Sequence, residues 1–177
     1  MSKRINNHLH NHYSDYNLLF LKRYLSELNI NNKILDVGTG HFRNLRLFYE
    51  LGFNELYGID KNIPDPIFKD KNFKINFILR NIEQGLPYKD KEFDIVLCNY
   101  VLMFINPSKL NFVLDEIMRV CNKFVVIETN KSKTKALHTE FKDYSFKSIS
   151  DYIENNKDFK LLDKKCYYEK LFLRRVK

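Results

Sequence analysis

Residues 33–60, KILDVGTGHFRNLRLFYELGFNELYGID, constrain this chain more than any other stretch. Lys33-Ile34-Leu35-Asp36-Val37 is a short apolar run with β-branched residues, the pattern of a buried parallel strand. Gly38-Thr39-Gly40 breaks the run, because glycine lets the backbone turn sharply and lets a ligand come close. From Arg43 the period lengthens: Leu45, Phe48 and Tyr49 mark the apolar side of a short helix, and Leu51-Gly52 its stop. Leu56-Tyr57-Gly58-Ile59 is a second strand, ending on Asp60. The unit is strand, turn, helix and strand, with a carboxylate at the end of both strands.

Asp60 follows Gly40 by 20 residues. At that spacing an acidic residue grips the ribose hydroxyls of an adenosine cofactor and repels a 2′-phosphate. Asp36, just before the glycines, separates the remaining options. A pyrophosphate binder wants glycines and a free helix N-terminus, with no anion close by. Asp36 puts negative charge at that mouth and suits a cofactor carrying ammonium or sulfonium charge. Phe42 stands where the third glycine of a dinucleotide fingerprint is expected, which again disfavours phosphate. An NAD-binding enzyme ranks last for these reasons.

Asp36-Val37-Gly38-Thr39-Gly40 followed by Gly58-Ile59-Asp60 resembles the first two motifs of the class I S-adenosylmethionine-dependent methyltransferases. The resemblance implies an α/β fold: a doubly wound, mostly parallel seven-stranded sheet, helices on both faces, and an antiparallel C-terminal edge strand. It implies S-adenosyl-L-methionine as cofactor, with Asp36, Gly38, Thr39 and Gly40 at the methionine end and Asp60 at the ribose, Lys61 following. The block from Asn81 to Asp94, NIEQGLPYKDKEFD, resembles a later stretch of the same family. There an acidic residue usually stands where Asn81 is and accepts from the adenine amino group. Asparagine can accept through its carbonyl and donate to a ring nitrogen, so Asn81 and Ile82 fall to the adenine.

Residues 93–98 read as the fourth strand, which puts Asn99 and Tyr100 at its carboxyl end, beside the reacting methyl group. Val101-Leu102-Met103-Phe104-Ile105 and His41-Phe42-Arg43-Asn44 resemble the tellurite-resistance branch of the superfamily; the apolar stripe read plainly is core. Leu110, Val113, Leu114, Ile117 and Met118 mark a helix. The family usually leaves it through a Lys-Pro-Gly-Gly turn. Here Cys121-Asn122-Lys123 stands instead, with Asn122 suited to the left-handed capping conformation.

Elsewhere the elements are plainer. Leu18, Leu19, Leu21, Tyr24, Leu25 and Leu28 give a helical face capped by Ser14 or Asp15. That helix brings Tyr13 and Tyr16 towards the cleft as candidate substrate contacts, with helix packing as their simpler role. Strands follow at 75–79 and 124–129, a helix at 148–155, and a final strand pair at 161–168 and 170–176. Residues 130–147, with His138, Glu140 and Tyr144, are expected on the acceptor side, and His138 is the candidate general base. His8, His10 and His12 alternate along one side of an extended segment, but nothing nearby supplies a fourth ligand, so no metal site is assigned.

A chain of 177 residues suits one domain, 1–177, with 1–12 mobile and 13–29 as a helix packing on the core. No apolar run reaches transmembrane length and the N-terminus lacks a secretion signal, so no membrane association is expected. Cys98, Cys121 and Cys166 form no metal pattern and read as reduced cysteines of a cytoplasmic protein. Residues 157–177 carry eight Lys/Arg against three acids, five of the net +8. That edge either recruits RNA or is simply solvated and protected from aggregation. Asn99-Tyr100-Val101-Leu102 is not the Asn/Asp-Pro-Pro-aromatic sequence of DNA-base amino-methyltransferases, which disfavours flipped-base chemistry. A small-molecule acceptor is the default. An RNA methyltransferase and a catalytically inactive S-adenosylmethionine-binding protein remain as alternatives.

Overall fold

Five parallel strands and an antiparallel pair build one seven-stranded sheet in the computed structural model, which describes residues 13–63, 70–129, 146–165 and 170–177. The strands are β1 (Ile34–Val37), β2 (Leu56–Asp60), β3 (Asn76–Leu79), β4 (Phe93–Asn99), β5 (Cys121–Glu128), β6 (Phe159–Lys165) and β7 (Lys170–Arg175). Their order is β3-β2-β1-β4-β5-β7-β6, so antiparallel β7 sits between β5 and the edge strand β6. The order runs outward from β1 in both directions. A crevice therefore opens at the carboxyl ends of β1 and β4, where an open α/β sheet takes its ligand. His8, His10, His12, His138, Glu140, Tyr144 and Cys166 lie outside the described residues.

Strand alternation divides the apolar side chains between two cores. Ile34, Leu56, Ile95, Leu97, Val126 and Phe172 face α1 (Asp15–Tyr24) and α2 (Arg43–Glu50). Leu35, Val37, Ile59, Val96, Ile127 and Leu173 face α3 (Leu110–Val120) and α4 (Phe146–Asn155). Helices thus cover both faces. In α3 the buried face includes Leu110, Val113, Leu114, Ile117 and Met118, as the period predicts. Its exit differs from expectation. Cys121 is already extended, with φ −85° and ψ 130°, and pairs with Phe93 of β4. Since the helix runs straight into β5, no left-handed residue is required, and Asn122 instead donates its Nδ2 to Asp94 Oδ1 at 3.1 Å.

Helix α1 is capped by Ser14, whose Oγ accepts from the Tyr16 N–H at 3.1 Å. Its buried face is Tyr16, Asn17, Phe20 and Leu21, while Leu18 and Leu25 are 45% and 46% exposed. Of the face read in the sequence, Leu19, Leu21, Tyr24 and Leu28 pack on this core, while Leu18 and Leu25 turn to solvent and Phe20 takes the central place. Leucines stand at too many positions of this helix for spacing to choose among them. Aromatic packing chooses: the Phe20 ring meets Phe124 edge-on at 5.2 Å and Phe172 at 5.5 Å.

Truncating this fully buried ring separates the two faces. Phe20→Ala is expected to lower the unfolding free energy by about 3–5 kcal/mol in urea titration. Leu18→Ala should cost below about 1 kcal/mol, as expected of a half-exposed side chain. Comparable losses at both positions would mean that the leucine face is the buried one.

Candidate active site

After β1 the chain turns at Gly38 and Gly40, with φ of 71° and 52°. The Ile59 carbonyl accepts from the Gly38 N–H at 2.8 Å and the Thr39 N–H at 3.1 Å. The Gly40 N–H donates to Asp60 Oδ2 at 2.9 Å, and the Phe42 N–H to the Thr39 carbonyl at 3.1 Å. These four amides are spent inside the protein and are not offered to a diphosphate. Gly38 owes its identity to packing: a Cβ there would lie 2.2 Å from Val101 Cγ2. Gly58 has a similar reason, since its Cβ would stand 3.0 Å from Thr39 Cγ2. The space lets Thr39 fold over β2 and donate its hydroxyl to Asp36 Oδ2 at 3.2 Å.

A cavity of about 470 Å³ opens beyond these strand ends. Asp60, Lys61 and Asn62 form its wall after β2, and Asn81, Ile82 and Glu83 continue it after β3. Opposite them, Tyr100, Val101, Phe104 and Ile105 follow β4, with Gly38 between. The Asp60 carboxylate is aimed by two backbone donors, the N–H groups of Gly40 and Asn62, each at 2.9 Å. Asn81 caps the short 3-10 turn Ile82–Gln84 by accepting from the Glu83 N–H at 3.0 Å. Glu83 accepts the Asn106 N–H at 2.7 Å, which ties down the loop carrying Phe104 and Ile105.

The structure brings six of the sequence-predicted cofactor residues to this cavity: Gly38, Asp60, Lys61, Asn81, Ile82 and Tyr100. Asp36, Thr39, Gly40 and Asn99 are not among its lining residues. Asp36 is 1% exposed, and burial pushes its carboxyl up to about 7 against the Thr39 bond and the Arg43 charge. It supports the loop from beneath and does not stand as an open charge at the mouth. Asn99 is bonded to Asn17, Asn44 and Glu128. Phe42 takes the left-handed conformation that suits the glycine expected there, at φ 62°. Its ring turns to Phe77 and Phe73, at 5.8 and 6.5 Å, and leaves the cavity open. Tyr16 stacks on Phe172 at 4.1 Å and Tyr13 packs on the same core, so neither lines the cavity.

The sequence reading missed Glu128. Strand register aligns Asn99, Glu128 and Lys170 across β4, β5 and β7. Glu128 is 1% exposed and accepts from Ser14 Oγ and Lys170 Nζ at 2.5 Å each, Tyr100 Oη at 2.8 Å and Asn99 Nδ2 at 3.2 Å. Burial alone raises a carboxyl; the bonds from Lys170, Ser14 and Tyr100 outweigh it and hold Glu128 below the usual glutamate range. The Glu128 carbonyl also accepts the Tyr100 N–H at 2.5 Å, clamping Tyr100 on the cavity wall at φ 60°. An acidic residue directly after the apolar run Phe124–Ile127 was the available signal. The stripe 101–105 is core as read at Leu102 and Ile105, with Val101 packed against it, and Val101, Phe104 and Ile105 also line the cavity.

The Asp36 environment sets a pH dependence. Its folded value of about 7 lies above the ordinary 3.8, so the folded state holds the proton more tightly. Stability from this group is fully present below about pH 4, falls as pH rises towards 7, and levels off above. Urea midpoints at pH 5 and pH 8 should drop for the unliganded protein and drop less for Asp36→Asn. Parallel behaviour of the two proteins would mean that Asp36 ionises freely in the folded state.

A methyltransferase-domain family model matches residues 35–126, more than half of the chain. Comparison with curated proteins gives no match. Among solved structures, the Burkholderia thailandensis 1,6-didemethyltoxoflavin-N1-methyltransferase is 14% identical, with a TM-score of 0.66 over 92% of this chain and 77% of that one. Magnesium protoporphyrin IX methyltransferase from Synechocystis is 13% identical, with a TM-score of 0.63 over 92% and 83%. An S-adenosylmethionine-dependent methyltransferase from Archaeoglobus fulgidus is 23% identical, with a TM-score of 0.59 over 82% and 71%. At these identities the likeness is one of fold. The family match, the seven-stranded sheet and the glycine turn pinned by the end of β2 agree: the chain belongs to the class I S-adenosylmethionine-dependent methyltransferases and takes S-adenosylmethionine as its cofactor.

Proposed function

We propose that this methyltransferase acts on a small-molecule acceptor, with the cofactor held in the cavity beyond β1, β2 and β4. The single observation that carries this reading is the Asp60 carboxylate, held by two backbone N–H groups on the wall of a cavity of about 470 Å³. That volume lies within the range of small-ligand sites. Asp60 keeps lone pairs for the ribose hydroxyls. Val101 and Ile105 offer an apolar face to the purine, Asn81 and Ile82 border its edge, and Gly38 allows close approach at the methionine end.

Bound S-adenosylmethionine supplies an electrophilic methyl group. This chain's residues contribute position: in-line displacement gains most from holding donor and acceptor at close range. Tyr100, clamped by Glu128 beside Val101, fixes the wall nearest the switch point. A base on the protein is needed only for an acceptor that keeps its proton at neutral pH, and His138 is our candidate for that role.

Two fold neighbours are by name enzymes of small molecules, a didemethyltoxoflavin and a magnesium protoporphyrin, which supports the acceptor class. The basic C-terminal strands support it from another side. Arg174 pairs with Glu27 at 2.6 Å, Arg175 donates to the Cys121 carbonyl at 2.8 Å, and Lys170 is bound to Glu128. Three of the basic side chains of this segment are thus engaged by partners within the protein, which makes them less available to phosphates and weighs modestly against RNA. No helix among the described residues is long and apolar enough to cross a membrane. Cys98 and Cys121 are buried free thiols, which suits a cytoplasmic setting.

Calorimetry tests the cofactor site directly. S-Adenosylhomocysteine should bind with micromolar affinity, and Asp60→Ala should weaken it by about tenfold to a hundredfold, the worth of hydrogen bonds to a charged group. The absence of heat with both S-adenosylmethionine and its demethylated product would overturn the site. A screen with labelled methyl donor then decides the acceptor class: label entering RNA and no small molecule would reject our reading.

A further inference from the structure

Tyr100 stands in a backbone conformation that a bulky residue rarely adopts, with φ at 60°. Such a conformation persists only where the surroundings over-determine it. Both holds on Tyr100 come from one residue. The Glu128 carbonyl accepts its N–H at 2.5 Å, and Glu128 Oε1 accepts its hydroxyl at 2.8 Å. The first bond is open to any residue at this place; the second needs a tyrosine facing a carboxylate. Glu128 itself is buried and is not among the residues that line the cavity. A carboxylate accepts about four hydrogen bonds, and Glu128 has its full set. Lys170 and Tyr100 donate to Oε1, Ser14 and Asn99 to Oε2. It reaches a ligand only through Tyr100.

Tyr100 passes the hold on to its neighbour. Val101 occupies the space over Gly38, where a Cβ would lie 2.2 Å from Val101 Cγ2. Gly38, Tyr100 and Val101 border one cavity with Asp60. Relaxation of Tyr100 to a negative φ would change the course of the chain into Val101 and draw that side chain off the glycine turn. We propose that Glu128 is a positioning residue for the cofactor, which acts from outside the cavity by holding Tyr100 and so keeping Val101 seated over Gly38. The proposal rests on the cofactor placement given above. It also assigns a task to Lys170 of the basic C-terminal strands, whose ammonium is the counter-ion of this carboxylate.

The test titrates S-adenosylhomocysteine by calorimetry into the wild type, Glu128→Met, Glu128→Gln, Tyr100→Phe and the double variant Glu128→Met/Tyr100→Phe. Glu128→Met removes the acceptor and should weaken binding by about tenfold, the effect of one hydrogen bond to a charged group. Glu128→Gln should stay within about threefold of the wild type: an ammonium only donates, so Lys170 draws the amide oxygen to the side it shares with Tyr100. The double variant should bind no more weakly than Glu128→Met, since both changes break the same bond. Tyr152→Phe is the control. It breaks a comparable bond to Asp115, 2.7 Å long and between α4 and α3, and should leave the affinity unaltered. Hydrogen exchange of the unliganded proteins, followed by NMR, should show the amide of residue 100 opening about tenfold faster in Tyr100→Phe. Wild-type affinity in Glu128→Met would overturn the proposal. So would additive losses in the double variant, which would mean that the hydroxyl touches the ligand directly, or a Glu128→Gln as weak as Glu128→Met. Should Glu128→Met fail to fold, an unchanged exchange rate in Tyr100→Phe would overturn it instead. A wild type that binds no S-adenosylhomocysteine would remove the cofactor placement, and this role of Glu128 with it.

Discussion

The structure around the cavity depends on how the end of β2 holds the turn after β1. Three consecutive amides of that turn, those of Gly38, Thr39 and Gly40, are bonded to Ile59 and Asp60. The contact works in both directions. It fixes the glycine turn against Val101, and it aims the Asp60 carboxylate into the cavity. A turn whose amides are already satisfied suits a ligand recognised by carboxylate and shape better than one recognised by phosphate. The glycines serve this arrangement mainly through the space they leave: Gly38 for Val101, Gly58 for the Thr39 side chain.

Behind the cavity the molecule carries two buried carboxyls with opposite solutions to the cost of burial. Asp36 has Thr39 as a partner and sits near Arg43, yet burial wins and its carboxyl is raised to about 7. Glu128 has Lys170, Ser14, Tyr100 and Asn99 around it, and there the partners win. The difference follows from the number and charge of the donors supplied by neighbouring strands. Glu128 thereby joins the cap of α1, the ends of β4 and β5, and the start of β7. Such a network rigidifies its surroundings only when every member is satisfied, and its inner wall is Tyr100.

The local pattern was legible because chain-neighbour physics governs it. The strand before Gly38, the helix from Arg43, the Asp60 terminus and the apolar period of α3 all depend on residues within a turn or a strand of one another. The resemblance carried by Asp36 to Gly40 and Gly58 to Asp60 then supplied the sheet and the cofactor, and six of the expected residues meet at one cavity. What was misread depends on contacts between distant segments. The choice of Phe20 over Leu18 as the buried side chain of α1 follows from Phe124 and Phe172 on two other strands. The exit of α3 follows from the pairing of Cys121 with Phe93. Glu128 becomes a hub only because register sets it between Asn99 and Lys170.

Residue type and spacing along the chain established the glycine turn and the acidic residue at the end of the second strand, since each is a short-range demand on the backbone, and the fold class came with the family resemblance that those residues carry. Packing across the sheet settled the rest. It buried Asp36, turned the Phe42 ring away from the cavity, and gathered Ser14, Tyr100 and Lys170 around Glu128. Those outcomes depend on which side chains and backbone groups become neighbours once the segments meet, and no periodicity along the chain encodes that.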